Sequence, residues 1–182
     1  MSYRIAAIPG STKEDSTHLR LLKALQQDFQ DLTFDIYTGI GNLPHFNPDH
    51  DGDVPHESVR SFRERLRSAD GILICTPEYA MGVPGTLKNA LDWTVSSAEF
   101  YDKPVALITS STVGEKGHRA LMETLLIMGS RISPDAHAVI SSIKTRAPGG
   151  VPDPATRAIM RKVVHSLIEE VQKQKIAEKK PA

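Results

Sequence analysis

Residues 71–93 read GILICTPEYAMGVPGTLKNALDW, and this stretch decides the fold class. It begins with a continuous apolar run, which is typical of a strand covered on both faces of a parallel sheet. Pro84 and Gly85 then open a segment in which Leu87, Leu91 and Val95 recur at helical spacing. The stretch therefore predicts a buried strand, a proline-stiffened loop and an amphipathic helix over residues 84–97.

The same change from strand to helix recurs along the chain. Apolar runs predict further strands over residues 4–9, 32–37, 103–109 and 136–140. Helical spacing predicts further helices over residues 17–29, 59–69, 117–128 and 155–174, the first capped by Ser16 or Thr17. Strands and helices that alternate in this way imply an α/β fold, with a parallel sheet and helices on both of its faces.

Length and composition narrow the class of protein. The 182 residues predict a single domain over residues 1–174, followed by a charged tail over residues 175–182. The 22 basic and 22 acidic side chains balance, which argues against a nucleic-acid or membrane partner recognised through bulk charge. The single cysteine, Cys75, excludes a disulfide framework and is expected to pack in the core. We find no membrane-spanning or signal-peptide pattern, so we expect a cytoplasmic protein.

Ligands of parallel α/β sheets bind beyond the carboxyl ends of the strands, which here carry residues 10–16, 76–82 and 109–117. The first of these loops places the hydroxyls of Ser11 and Ser16 and the cation of Lys13 before a helix N-terminus, a setting that suits a compact terminal phosphate. It matches neither GxGxxG nor GxxxxGK[ST]. A polar turn that binds nothing is equally compatible with these residue types.

The second loop is stiffened by Pro77 and Pro84. Its backbone N–H groups suit the polar edge of a flat ring, and Tyr79 and Met81 would supply an apolar wall. The alternative is a proline-rich turn in which Tyr79 only packs.

Other candidate sites have weaker support. The loop with His45, Asp49, His50, Asp51, Asp53 and His56 lacks the spacing of a zinc or EF-hand site, and a solvated loop is favoured. The charges of RSFRERLR, residues 60–67, are predicted to form a solvated helix face. Trp93 and Phe100 are expected to pack, either in the core or at a subunit contact. No GxSxG elbow supports a hydrolase triad.

The motifs together resemble one family. TPEY followed by VPGTLKNALDW resembles PEYN-x-S-x-PG-x-LKNA-x-DW, the signature of the NAD(P)H-dependent FMN reductases. Residues 10–18 resemble that family's GS-x-R-x-x-S-x-N phosphate loop, NLPHFNPD its leucine-proline segment, and TSSTVGEKGHRA its third flavin loop. The resemblance extends over roughly residues 3–140, in consistent order. It implies a flavodoxin-like three-layer sandwich with strand order 2-1-3-4-5.

The resemblance also implies a function. The family includes quinone, chromate and azo-dye reductases, so the chain is expected to use NAD(P)H to reduce FMN at N5 and to pass electrons to a quinone or similar acceptor. A homodimer or homotetramer with the 84–97 helix near its interface is implied as well. The alternative is a flavodoxin-like electron carrier or binding module without NAD(P)H oxidation, which the balanced charge disfavours. No catalytic side chain or metal is expected.

The implied FMN-binding residues lie in all three loops. They are Ser11, Lys13, Ser16, Thr17, His18, Pro77, Glu78, Tyr79, Ala80, Ser111, Thr112, Val113 and Gly114. The sequence departs from the family pattern at Lys13 (usually Arg), His18 (Asn), Ala80 and Gly82 (Asn and Ser), and Thr112 and Val113 (Pro-Gly). Because these changes remove side-chain hydrogen bonds, FMN is expected either to be held loosely or to serve as a substrate.

Overall fold

The structure is a computed structural model that describes residues 2–111, 115–141, 147–148 and 151–178. Within them the chain forms a five-stranded parallel sheet in the order β2-β1-β3-β4-β5. The strands are β1 (Arg4–Pro9), β2 (Thr33–Ile36), β3 (Gly71–Pro77), β4 (Val105–Ser111) and β5 (His137–Ser141). The helices are α1 (Thr17–Asp28), α2 (Glu57–Ser68), α3 (Gly85–Asp92), α4 (Lys116–Ile127) and α5 (Pro154–Glu178). The predicted α/β class and strand order are confirmed.

Two apolar cores sandwich the sheet. Alternate strand residues such as Ala7 and Ile108 pack with side chains of α1 and α5 on one face. Their neighbours, such as Ile8 and Leu107, pack with α2, α3 and α4 on the other. The strand β3 is buried along its whole length, as its continuous apolar run predicts.

The helix α3 is shorter than the predicted helix over residues 84–97. It ends at Asp92, and Val95 is 60% exposed outside it. The carbonyl oxygen of Trp93, which a longer helix would use internally, instead accepts a hydrogen bond from Arg63 Nε at 2.7 Å. A tertiary contact has therefore replaced the helical hydrogen bond that the periodicity predicted.

The prediction of a solvated charged face on α2 is wrong for Arg63. This residue is only 5% exposed, and its guanidinium pairs with Asp51 at 2.5 Å. Burial alone would raise the pKa of Asp51, but hydrogen bonds from Ser96 and Arg63 lower it overall. Asp51 is thus a buried ion-pair partner that fastens its loop to α2, rather than a residue of a solvated loop.

Three further predictions, for Cys75, for residues 39–56 and for the last helix, can be compared with the structure. Cys75 is fully buried in the core, where burial raises the pKa of its thiol to about 12, and its packing role is confirmed. The segment over residues 39–56, which includes the predicted solvated loop from His45 to His56, contains two short 3-10 turns, Gly39–Asn42 and Pro48–His50. The helix α5 continues past the predicted end near residue 174, where Lys175 Nζ lies 3.0 Å from Asp70.

Candidate FMN site

The first two loops leave the sheet side by side, beyond the ends of β1 and β3. The backbone N–H of Gly10 donates to the carbonyl oxygen of Cys75 at 2.8 Å. A Cβ at position 10 would lie 2.1 Å from Thr76 Oγ1, so only glycine fits there without moving a strand. The glycine of the Gly10-Ser11 pair is therefore explained by the close approach of the two strands.

The first loop leads directly into α1. Lys13 is exposed, Ser11 is half-buried, and the hydroxyl of Ser16 caps the helix by accepting the Leu19 N–H at 3.1 Å. The Arg20 N–H bonds to the Ser16 carbonyl. The N–H groups of Thr17 and His18 precede the Arg20 N–H, which is the first intrahelical donor, and the helix dipole favours an anion beside them. This geometry suits the predicted phosphate site.

The side chain of His18 lies against the sheet. It is 7% exposed, and its Nε2 is 2.5 Å from the hydroxyl of Ser110 near the end of β4. Burial lowers the pKa of His18 to about 4. A neutral imidazole at physiological pH adds no positive charge to a phosphate site, so any contribution of this side chain is made as a hydrogen-bonding group.

The second loop is organised by its backbone. The Glu78 N–H donates to the Ser110 carbonyl at 3.3 Å, and reciprocal hydrogen bonds of 3.1 and 2.8 Å join Tyr79 and Gly82. The two residues between them, Ala80 and Met81, have left-handed backbones with φ of 49° and 59°. Such a turn is usually made by Asn, Asp or Gly, so here the loop adopts it despite its residue types.

This turn presents apolar surface while a carboxylate lies beneath it. The side chains of Tyr79 and Met81 are 57% and 56% exposed. The Oε2 atom of Glu78 is buried and has no hydrogen-bond partner among the described residues. A buried acceptor of this kind suits a ligand that offers an N–H, as the flavin ring does, and the residues present therefore fit FMN.

The helix α4 packs closely beneath the second loop. A Cβ at Gly117 would lie 2.8 Å from Glu78 Cγ and 2.9 Å from the carbonyl oxygen of Gly82. The third predicted loop therefore has both ends beside the second loop: Ser110 precedes it and bonds to the Glu78 N–H, and Gly117 follows it. Ser111 is the last residue of β4, whereas Thr112, Val113 and Gly114 lie outside the described residues.

Sequence reasoning missed a pair of histidines beside this loop, the buried His118 and the half-buried His137. His118 Nδ1 is 2.9 Å from the hydroxyl of Thr109, and its Nε2 is 3.1 Å from His137 Nδ1. Burial, followed by the proximity of His137, lowers the pKa of His118 to about 4. The helical spacing from His118 to Leu121 and Leu125 was the available signal, because it places all three on the buried face.

Part of the family signature has a structural role. Asn89 Nδ2 and Trp93 Nε1 both donate to the carbonyl oxygen of Pro44, at 2.9 and 2.8 Å. Asn89 also accepts the Phe46 N–H at 2.7 Å. Trp93 is fully buried, which confirms that it packs. The LKNALDW stretch therefore fixes the leucine-proline segment against α3.

Comparison with known proteins identifies the family. The sequence profile of the NADPH-dependent FMN reductases matches residues 3–144, so the chain belongs to this family. The predicted family and fold are confirmed at that level. None of the helices in the described ranges is both long and apolar enough to cross a membrane.

Individual relatives agree with this assignment. A 2-hydroxy-1,4-benzoquinone reductase of a Burkholderia species is 41% identical over 115 residues, which are 61% of this chain and 62% of that protein. The chain thus aligns with less than two-thirds of this relative's length. The NADH-dependent flavin reductase subunit 2 of Lactobacillus johnsonii is 30% identical over 141 residues, or 74% of this chain and 73% of its own.

A solved structure extends the similarity to nearly the whole chain. The flavoenzyme FerB, an NAD(P)H:(acceptor) oxidoreductase from Paracoccus denitrificans, superposes with a TM-score of 0.74 at 28% identity. The superposition covers 94% of this chain and 98% of FerB.

Proposed function

We propose that this chain is an NAD(P)H-dependent FMN reductase that passes electrons to a quinone or a similar small-molecule acceptor. The observation that carries the proposal is the convergence of the family's first two flavin loops at one edge of the sheet. The Gly10–Cys75 hydrogen bond joins the first loop to β3, and the Glu78–Ser110 hydrogen bond joins the second loop to β4.

The chain's contribution is to bind and orient the cofactor, which supplies the redox chemistry when it is bound. In the first loop Ser11, Lys13, Ser16 and Thr17 would hold the phosphate. In the second loop the main chain of residues 77–80 would hold the ring, and the exposed side chains of Tyr79 and Met81 would shield it from water. The third loop, Ser111 to Gly114, would close the opposite side of the ring.

The acceptor assignment rests on the names of relatives. The 41%-identical Burkholderia protein reduces a hydroxybenzoquinone, and FerB is described as acting on an acceptor of unspecified kind. A flat, mostly apolar acceptor is compatible with the apolar side chains of Tyr79 and Met81. We further propose a cytoplasmic homodimer or homotetramer, supported by the family resemblance. Light scattering on the purified chain tests the oligomeric state.

Absorption spectroscopy and a coupled assay test the function. The purified chain should show the visible absorption bands of a bound flavin, either as isolated or after FMN is added. It should then consume NADH or NADPH when a benzoquinone is present. Flavin binding without NAD(P)H oxidation would instead indicate the electron-carrier alternative, and the absence of flavin binding would overturn both.

A further inference from the structure

The end of β4 is bonded through side chains to α1, the helix that follows the first loop. His18, in the first turn of α1, places its Nε2 2.5 Å from Ser110 Oγ. Both residues are buried, with exposures of 7% and 4%. Because water is excluded, this hydrogen bond is stronger than an exposed one and is costly to leave unmade.

Ser110 also contacts the second loop. Its carbonyl oxygen accepts the Glu78 N–H at 3.3 Å, while its hydroxyl faces His18. Glu78 is the residue that opens the second loop. One residue of β4 therefore connects the helix that follows the phosphate loop to the loop that would hold the flavin ring.

We propose that His18 and Ser110 are positioning residues that aim the N-terminus of α1 at the FMN phosphate. The inference rests on the proposed function. The backbone N–H of His18 is one of the two helical N–H groups that precede the first intrahelical donor, the Arg20 N–H, and the side chain of His18 is bonded to the sheet. Holding the imidazole in place therefore also orients the His18 N–H, which would donate a hydrogen bond to the phosphate.

The length of the imidazole matters for this role. The contact to Ser110 uses Nε2, the ring nitrogen farther from the backbone. The amide group of Asn, the residue usual at this position in the resembling family, corresponds in reach to Nδ1 and falls short of Nε2. Gln reaches about as far as Nε2, and therefore serves as the conservative replacement.

The opposite face of β4 provides a matched control. Thr109, the residue before Ser110, bonds through its hydroxyl to the buried His118 of α4 at 2.9 Å. Both contacts join a buried histidine to a β4 hydroxyl. The His118 contact leads to α4, however, and not to the phosphate loop.

Titration of two flavins separates positioning from general stability. Riboflavin has the same ring as FMN but no phosphate. The apoprotein is titrated with each flavin, and binding is followed by fluorescence quenching in the wild type and in Ser110→Ala, His18→Asn, His18→Gln and Thr109→Val. Thermal melting of each apoprotein shows that it is folded at the temperature of the titration.

We expect Ser110→Ala and His18→Asn to weaken FMN binding about three- to tenfold, the effect of one hydrogen bond, and to leave riboflavin binding unchanged. His18→Gln should restore the preference for FMN. Thr109→Val should leave the ratio of the two affinities at its wild-type value even where it lowers the melting temperature.

Two results would overturn the inference while leaving the proposed function intact. One is an equal loss of affinity for both flavins in Ser110→Ala and His18→Asn, which would indicate a purely structural contact. The other is wild-type affinity for both flavins in Ser110→Ala and His18→Asn, which would show that the contact does not affect binding. A wild-type chain that binds neither flavin would instead refute the proposed function, and the inference with it.

Discussion

The first and second predicted flavin loops, residues 10–16 and 76–82, lie side by side beyond the carboxyl ends of β1 and β3 but have different chemistry. The first loop offers side chains: an exposed cation at Lys13 and hydroxyls at Ser11 and Ser16. The second loop offers backbone geometry, because its Tyr79–Gly82 turn is closed by main-chain hydrogen bonds through two left-handed residues. Substitutions should therefore act on ligand contacts in the first loop and on loop conformation in the second.

The largest expected effect lies in the first loop. Lys13→Ala and Ser11→Ala should each weaken FMN binding by about 1.5–3 kcal/mol, since each removes a partner of a doubly charged phosphate. Fluorescence titration with FMN measures the change. Lys23→Ala removes another exposed cation from α1, away from the loop, and should change the affinity little. Wild-type affinity in both loop variants would refute the phosphate assignment.

Close packing makes the second loop sensitive to Gly117→Ala. The added Cβ would lie 2.8 Å from Glu78 Cγ and 2.9 Å from the Gly82 carbonyl oxygen. We expect the free energy of unfolding to fall by about 1–3 kcal/mol, as measured by urea denaturation. Gly85→Ala is the matched control, because its Cβ would meet no atom of the described residues within 4 Å. Equal stability of the two variants would show that the loop moves freely away from α4.

The His18 side chain, which bonds the helix after the first loop to the sheet, should titrate. The backbone hydrogen bonds of the second loop do not titrate. Burial places the pKa of His18 at about 4 in the folded protein, below the ordinary value of 6.5. The unfolded chain therefore binds more protons between these values, and folding stability decreases as the pH falls from 6.5 to 4. The protonation of His18 should lower the free energy of unfolding by on the order of 1–3 kcal/mol over this pH range.

Urea denaturation of the apoprotein across this pH range measures that contribution. His18→Gln should flatten the decline of stability with falling pH, and the remaining slope reports the other titrating groups, including His118. The same slope in wild type and variant would contradict the assigned protonation of His18.

The smallest effect is a gain in the second loop. Ala80 has a φ of 49°, and Asn tolerates this region better than Ala, so Ala80→Asn should stabilise the chain by roughly 0.5–1 kcal/mol. It should also tighten FMN if the loop follows the family path. Ala98→Asn, at a φ of 58° outside the three flavin loops, should add similar stability without changing FMN affinity. Weaker FMN binding by Ala80→Asn would show that this loop approaches the ring differently.

The companion change Gly82→Ser is expected to be tolerated. Among the described residues, a Cβ at Gly82 would meet the Tyr79 carbonyl oxygen alone, at 3.5 Å, and the backbone of Gly82 is outside the left-handed region. The serine can therefore be added to Ala80→Asn without straining the turn, and any further gain in FMN affinity is then assigned to its hydroxyl.

Sequence and structure agree most closely where one residue property controls the outcome. Apolar runs and helical spacing predicted the strands and helices, because burial of apolar side chains dominates the folding of such segments. The cap at Ser16 and the burial of Cys75 follow from similarly local chemistry. The end of α3 does not follow from local chemistry, because the Trp93 carbonyl is bonded to Arg63, which lies 30 positions earlier in the chain.

The sequence by itself determined the fold class, the family and the chemical character of the first loop, since each depends on the order of residue types along the chain. The tertiary structure alone decided that Arg63 and Asp51 are buried as a pair, that Ala80 and Met81 form a left-handed turn, and that His18 faces Ser110. These features depend on contacts between residues distant in sequence, or on a backbone conformation that Ala and Met rarely adopt. Neither leaves a periodic or compositional signal in the chain.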